Sequence, residues 1–313
     1  MQLRRISPRP FYSSPAASSY KPGNKYTTAM APSTVSSVPG DLSSMLSRLL
    51  STLDSSATRL SAILSTSTGV DKFMLTIYYT LKLLYPQITR VRDLRMRAAV
   101  SATPLAKTSP ALVPGQAVAA VQLASPIDSW LVATDTSMRL TAAMVSEFRM
   151  ISRLWGMLTM YRWAKGTYLA PPPDSPIVWG QIAACSAYQV LENVAYLAGK
   201  GIIRGDWVSP ERQGKMWVLS CRFWLVHTAL EAWRLLRERQ RAKKTAATGE
   251  KEDKIRTKEA KKAWNRAWYI NAGYAPMALH YSIPTGLISD DALGVLGLIV
   301  AYNSFGHMWR QAA

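Results

Sequence analysis

Three apolar segments in the second half of the chain come close to crossing a bilayer, and each falls short in a different way. That near-miss constrains the fold more than any motif does. A lone spanning helix needs about 20 mostly apolar residues to match a hydrocarbon core of roughly 30 Å. Ile177–Ala198 is long enough but contains Gln181, Gln189, Glu192 and Asn193. Met216–Leu236 contains Arg222, His227, Glu231 and Arg234, and a central arginine costs about 2.5–3.5 kcal/mol on insertion scales. Ala292–Tyr302 carries no charge, but a run that short rises only about 16 Å. Two arrangements remain: the helices pack together with their polar residues inward, or they lie in the interface with those residues among the headgroups. The expectation is an all-α chain of amphipathic and membrane-associated helices packed as hairpins, with the C-terminal run inserted most deeply. A soluble helical bundle is the alternative, and the mean hydropathy of −0.02 permits it.

The best-patterned helix is expected from Ser137 to about Lys165. Leu140, Met144, Phe148, Ile151, Trp155 and Leu158 recur at spacings of three and four and so share one face. Arg149 and Arg153 fall on the other. This pattern makes the six apolar residues and the two arginines candidate lipid-binding residues, the arginines either meeting headgroups or forming a solvated face. Asp41 is placed to cap an earlier helix whose stripe runs Leu42, Met45, Leu46, Leu49, Leu50, Leu53, Leu60, Ile63 and Leu64. After Gly69, Asp71 caps a second helix from Lys72 to about Leu84, which Pro86 is expected to stop. Arg90, Arg92, Arg95 and Arg97 follow, opposed locally only by Asp93.

The expected organisation is a disordered basic Ser- and Pro-rich tail over 1–40, amphipathic helices over 41–100, a linker over 101–136 and a helical membrane-associated region over 137–313. The last contains a charged insert at 237–266; from Arg234 to Arg266 there are 13 basic and 5 acidic residues. The tail holds Arg4, Arg5, Arg9, Lys21 and Lys25 and no acid, so it cannot bury enough apolar area to order itself. Its composition also fits a mitochondrial presequence, although six prolines oppose a presequence helix.

A net charge of +19 implies an anionic partner: phospholipid, nucleic acid or an acidic protein. Eleven Trp and 14 Tyr against 5 Phe favour the membrane interface, where rings with a polar edge sit well. No zinc-finger or RNA-recognition pattern supports nucleic acid. Catalytic chemistry is not visible: His227, His280 and His307 lack metal-ligand spacing, Cys185 and Cys221 have no CxxC partner, and no phosphate loop or nucleophile elbow occurs. The chain therefore reads as a non-enzyme with no cofactor and no metal. Glu192 is expected to be a buried carboxylate that captures an arginine or a helix end, and His227 a hydrogen-bonded core imidazole.

Four segments, in order, carry a family resemblance. Asp71-Lys-Phe-Met-Leu-Thr-Ile-Tyr-Tyr-Thr-Leu-Lys-Leu-Leu84, Ser146-Glu-Phe-Arg-Met-Ile-Ser-Arg-Leu-Trp-Gly156, the stretch Tyr188–Ile203 containing Glu192 and Asn193, and Leu293-Gly-Val-Leu-Gly-Leu-Ile-Val-Ala-Tyr302 resemble the ordered motifs of the peroxin-eleven family. The resemblance implies a peroxisomal membrane protein whose amphipathic helices insert into one leaflet and elongate the membrane before fission. It further implies self-association, contact with the peroxisomal import receptor and recruitment of fission machinery.

Overall fold

The computed structural model describes residues 40–102, 126–247 and 254–312. The basic tail, with its presequence reading, and most of the expected linker lie outside the described residues. Within them the chain is all-α. The helices are α1 Gly40–Leu64, α2 Ser67–Ala102, α3 Pro126–Arg153, α4 Gly156–Leu169, α5 Ser175–Gly199, α6 Pro210–Ala247, α7 Lys254–Tyr281 and α8 Asp290–Gln311, with a 3₁₀ turn at Asp206–Val208.

Several boundaries differ from those expected, each for an identifiable reason. The break between α1 and α2 comes at Ser65–Thr66. There the Thr66 hydroxyl accepts the Gly69 N–H at 3.0 Å. A Cβ on Gly69 would sit 1.9 Å from the Ile63 carbonyl oxygen, so the turn requires glycine. Pro86 does not stop α2. Beyond it, Thr89, Arg92 and Arg95 reach Asp135 and Asp128 of α3, at 2.8, 2.6 and 2.5 Å. These contacts hold the part of α2 beyond Pro86 against α3. The linker is shorter than expected, because residues 126–136 are helical and start on Pro126, a residue suited to a first helical turn.

The helix expected over 137–165 is two helices, broken at Leu154–Trp155. The break is held from α5. Gln189 Nε2 donates to the Arg153 carbonyl at 2.8 Å, and Asn193 Nδ2 to the Leu154 carbonyl at 3.1 Å. These side chains satisfy carbonyls that a helix end leaves without partners. The charged insert is not a separate loop: α6 runs through it to Ala247 and α7 begins within it at Lys254. Finally, α8 has 22 residues, twice the apolar run, and is about 33 Å long. Its first turn is capped by the Ser289 hydroxyl.

The helices pack as successive antiparallel hairpins. α5 pairs with α6, α6 with α7 and α7 with α8; α2 lies between α8 and α3, α4 rests on α5, and α1, whose Ile63 is buried, packs against α2 and α8. The principal core, Leu75, Tyr79, Met277, Leu293, Val300 and Ala301, sits where α2, α7 and α8 meet. Close approach there depends on two glycines of α8. A Cβ on Gly297 would fall 2.1 Å from the Tyr79 ring, and one on Gly294 3.1 Å from the Leu83 backbone. Small residues at such a seam are the usual device for packing helices in lipid.

Candidate lipid-facing surface and its buried charge network

The polarity of α3 is inverted relative to a soluble bundle helix. Leu140, Met144, Phe148 and Ile151, with Trp155 and Leu158 just beyond, all face outward and are 41–67% exposed. The inward side carries Asp135, Arg149, Ser152 and Arg153 beside Leu131, Ala142 and Val145. α1 repeats the pattern: Leu42, Met45, Leu46, Leu49, Leu50 and Leu53 are 51–66% exposed. Contiguous apolar surface on this scale marks a membrane or partner contact rather than a wetted face.

The charges have gone inward, into networks that join helices distant in sequence. Arg153 Nη1 donates to Glu192 Oε1 and to the Tyr188 hydroxyl, both at 2.7 Å, and Tyr188 donates to the same carboxylate oxygen at 2.9 Å. Glu192 is therefore a buried carboxylate that captures an arginine. Arg149 turns to Asp71 of α2 at 3.4 Å, with its side chain only 13% exposed. Both arginines are thus committed to the interior. These two expected lipid contacts are each ion-paired to a carboxylate of another helix, and the Arg153 side chain keeps 29% of its surface exposed. The six apolar residues of the same stripe, in contrast, are free on the outside.

Asp135 is a second node, absent from the sequence reading because it fell in the expected linker. Nearly fully buried, it accepts from Thr89 and Arg92 of α2 and from Arg139 one turn along α3, the last at 3.0 Å. Arg139 also lies over the Tyr85 ring, 4.5 Å from its centroid. A third node joins Gln181 of α5 to Glu231 of α6 at 2.8 Å, with Arg234 bidentate on the same carboxylate. A fourth sits at the entrance to α5, where buried Asp174 receives Arg241 and Arg237 of α6. The hydrogen bond from Arg241, reinforced by both guanidinium charges, holds this carboxyl below its usual range against the opposing effect of burial. The Nδ1 of His227 is buried without a hydrogen-bond partner, and the ring stands edge-on to Trp163.

Chemically, these nodes are ion pairs and hydrogen bonds that join helices distant in sequence. Among the described residues no group of three or more His, Cys, Asp and Glu is placed to hold a metal. Of the described helices, α8 alone is long and apolar enough to cross a membrane by itself. Gln181, Glu192 and Glu231, which count against their segments as lone spans, are hydrogen-bonded between helices.

No family model matches the chain, and no solved structure matches it significantly. It is 30% identical over 161 residues to a Schizosaccharomyces pombe protein named "Uncharacterized protein C1F12.04c", an alignment covering 51% of this chain and 70% of that protein. With that extent of shared sequence, the chain belongs to the same family as the Schizosaccharomyces pombe protein.

Proposed function

We propose that this chain is a membrane protein that remodels its bilayer, held by the α2–α8 bundle and acting through outward apolar faces inserted into one leaflet. The observation that carries the reading is the inverted polarity of α3. Its apolar stripe from Leu140 to Ile151 is exposed while Arg149 and Arg153 are ion-paired inside. In water this arrangement would expose the most apolar side and spend buried charges with no solvent gain. In lipid it does the opposite, giving the stripe acyl chains and the charges one another. α1 supports the insertion step, because Leu42, Met45, Leu46, Leu49, Leu50 and Leu53 along its first turns are exposed. Adding helix volume to one leaflet expands that leaflet and favours curvature.

The resemblance to the peroxin-eleven family makes the peroxisome the proposed location and elongation before division the proposed role, with self-association part of that reading. The test is fractionation and imaging of a tagged full-length chain. It is expected to stay in the membrane pellet through high salt and alkaline carbonate, to leave only with detergent, and to coincide with a peroxisomal marker. Its deletion is expected to give fewer, larger peroxisomes. Release by salt would overturn the membrane reading; membrane retention at mitochondria would overturn the location alone.

A further inference from the structure

The basic residues of this chain divide into two populations. In the bundle, arginines are matched to carboxylates across helices: Arg90 to Asp291, Arg92 to Asp135, Arg95 to Asp128, Arg149 to Asp71 and Arg153 to Glu192; Arg234 meets Glu231 within α6. Three of the four arginines of the 90–97 cluster, which has one local acid in sequence, are paired this way. The distal part of α6 and the first turns of α7 differ. Arg237 and Arg241 are taken by Asp174, but Arg239, Lys243, Lys244, Lys258, Lys261 and Lys262 are exposed. Glu238 and Glu259 are the acids among the described residues there, and Glu238 already meets Arg234 at 3.3 Å. By spacing, Lys258, Lys261 and Lys262 share one face of α7, and Arg239 and Lys243 one face of α6.

An aromatic collar lies immediately below these charges. Trp264 stacks on Trp268 at 5.5 Å, donates its indole N–H to the Leu235 carbonyl at 2.8 Å, and lies under the Arg239 guanidinium at 5.0 Å. Trp233 and Tyr269 beside them are more than half exposed. Apolar surface, then Trp and Tyr, then unpaired Lys along the same two helices is the order of environments met on leaving a bilayer. At 38 residues, α6 is about 57 Å long and must emerge from a core of about 30 Å.

We propose that the distal end of α6 and the start of α7 form a basic clamp for the headgroups of anionic phospholipids, and that lipid-charge recognition belongs here and not to Arg149 and Arg153. The clamp rests on the membrane reading above. The collar favours lipid over nucleic acid, since its rings lie where acyl chains give way to headgroups. Juxtamembrane basic residues are drawn to an anionic surface, and the attraction weakens as salt screens it.

The test uses full-length chain diluted from detergent into vesicles of phosphatidylcholine alone or phosphatidylcholine with phosphatidylserine, at low and high salt. It is compared with a variant carrying Gln at 243, 244, 258, 261 and 262. The expected result is insertion into both vesicle types by the native chain, with roughly tenfold or greater preference for anionic vesicles at low salt. That preference is lost in the variant and at high salt, while insertion into neutral vesicles is unchanged. Equal insertion into both vesicle types by native chain and variant overturns the clamp and leaves the membrane reading intact. Failure to enter either vesicle, with salt-sensitive binding of the native chain to duplex DNA, overturns both. A variant with altered helix content by circular dichroism is replaced by Lys258→Gln with Lys261→Gln, read in the same way.

Discussion

Arg153 and Glu192 are 39 residues apart and meet at 2.7 Å; each would be costly in this environment without the other. Removing one partner of such a pair strands the remaining charge, which costs about 3–5 kcal/mol, whereas replacing both with apolar residues is often neutral. Glu192→Ala is therefore expected to lower the thermal unfolding midpoint in detergent strongly, and Arg153→Met combined with Glu192→Leu to recover most of it. A double variant as unstable as the single one would mean that the pair does more than neutralise itself. Asp174 supplies a pH-dependent counterpart. Its carboxyl titrates below the ordinary value because Arg241, and then Arg237, stabilise the charged form. The folded state thus binds fewer protons than the unfolded chain. The resulting stability is complete above the unfolded carboxylate pKa of about 3.9 and lost as pH falls through the lower folded value. Amide protection at the start of α5 is expected to drop across that window in the native chain and to stay flat in Asp174→Asn.

At the scale of elements, the α2–α8 seam sets the distance between the candidate span and the rest of the bundle. Gly297 leaves no room for a side chain against Tyr79, so Gly297→Leu overpacks the seam. Such changes typically cost 1–3 kcal/mol or more. The expected signature is increased protease cutting between α7 and α8 with helix content retained. α1 makes the opposite case, since its exposed leucines contribute nothing to the core. Leu46→Asp with Leu49→Asp should leave the unfolding midpoint of the bundle unchanged and reduce tubulation of vesicles by the full-length chain. A fall in the midpoint would show that α1 packs on the bundle and does not insert.

Across the described residues, the fold is a helical assembly that combines an apolar core with buried ion pairs, with apolar outer faces on α1 and α3, a candidate span at its C-terminal end and a basic extension beyond its tryptophans. Much of this was legible in sequence. The all-α class followed from apolar periodicity, and the common face of the stripe from Leu140 to Leu158 from its spacing alone. Less was legible of the boundaries. Pro86 lies inside α2 because Asp135 and Asp128 hold the residues after it. The helix expected to run unbroken to Lys165 breaks because Gln189 and Asn193 reach across from α5 to its carbonyls.

The sequence by itself determined which residues are apolar, how often they recur and therefore which elements are helical, since those properties are local. It could not decide which side of α3 faces inward. A stripe of leucine and an opposing pair of arginines is symmetric between a helix lying on a charged surface and one turned around in a bundle. That choice rests on Asp71 and Glu192, acids 78 and 39 residues from their arginines, which only tertiary packing brings within reach. The near-miss of the apolar segments resolves in the same way: α8 gains length from its polar flanks, while Gln181, Gln189 and Glu192 of α5 are buried against α6 and α3.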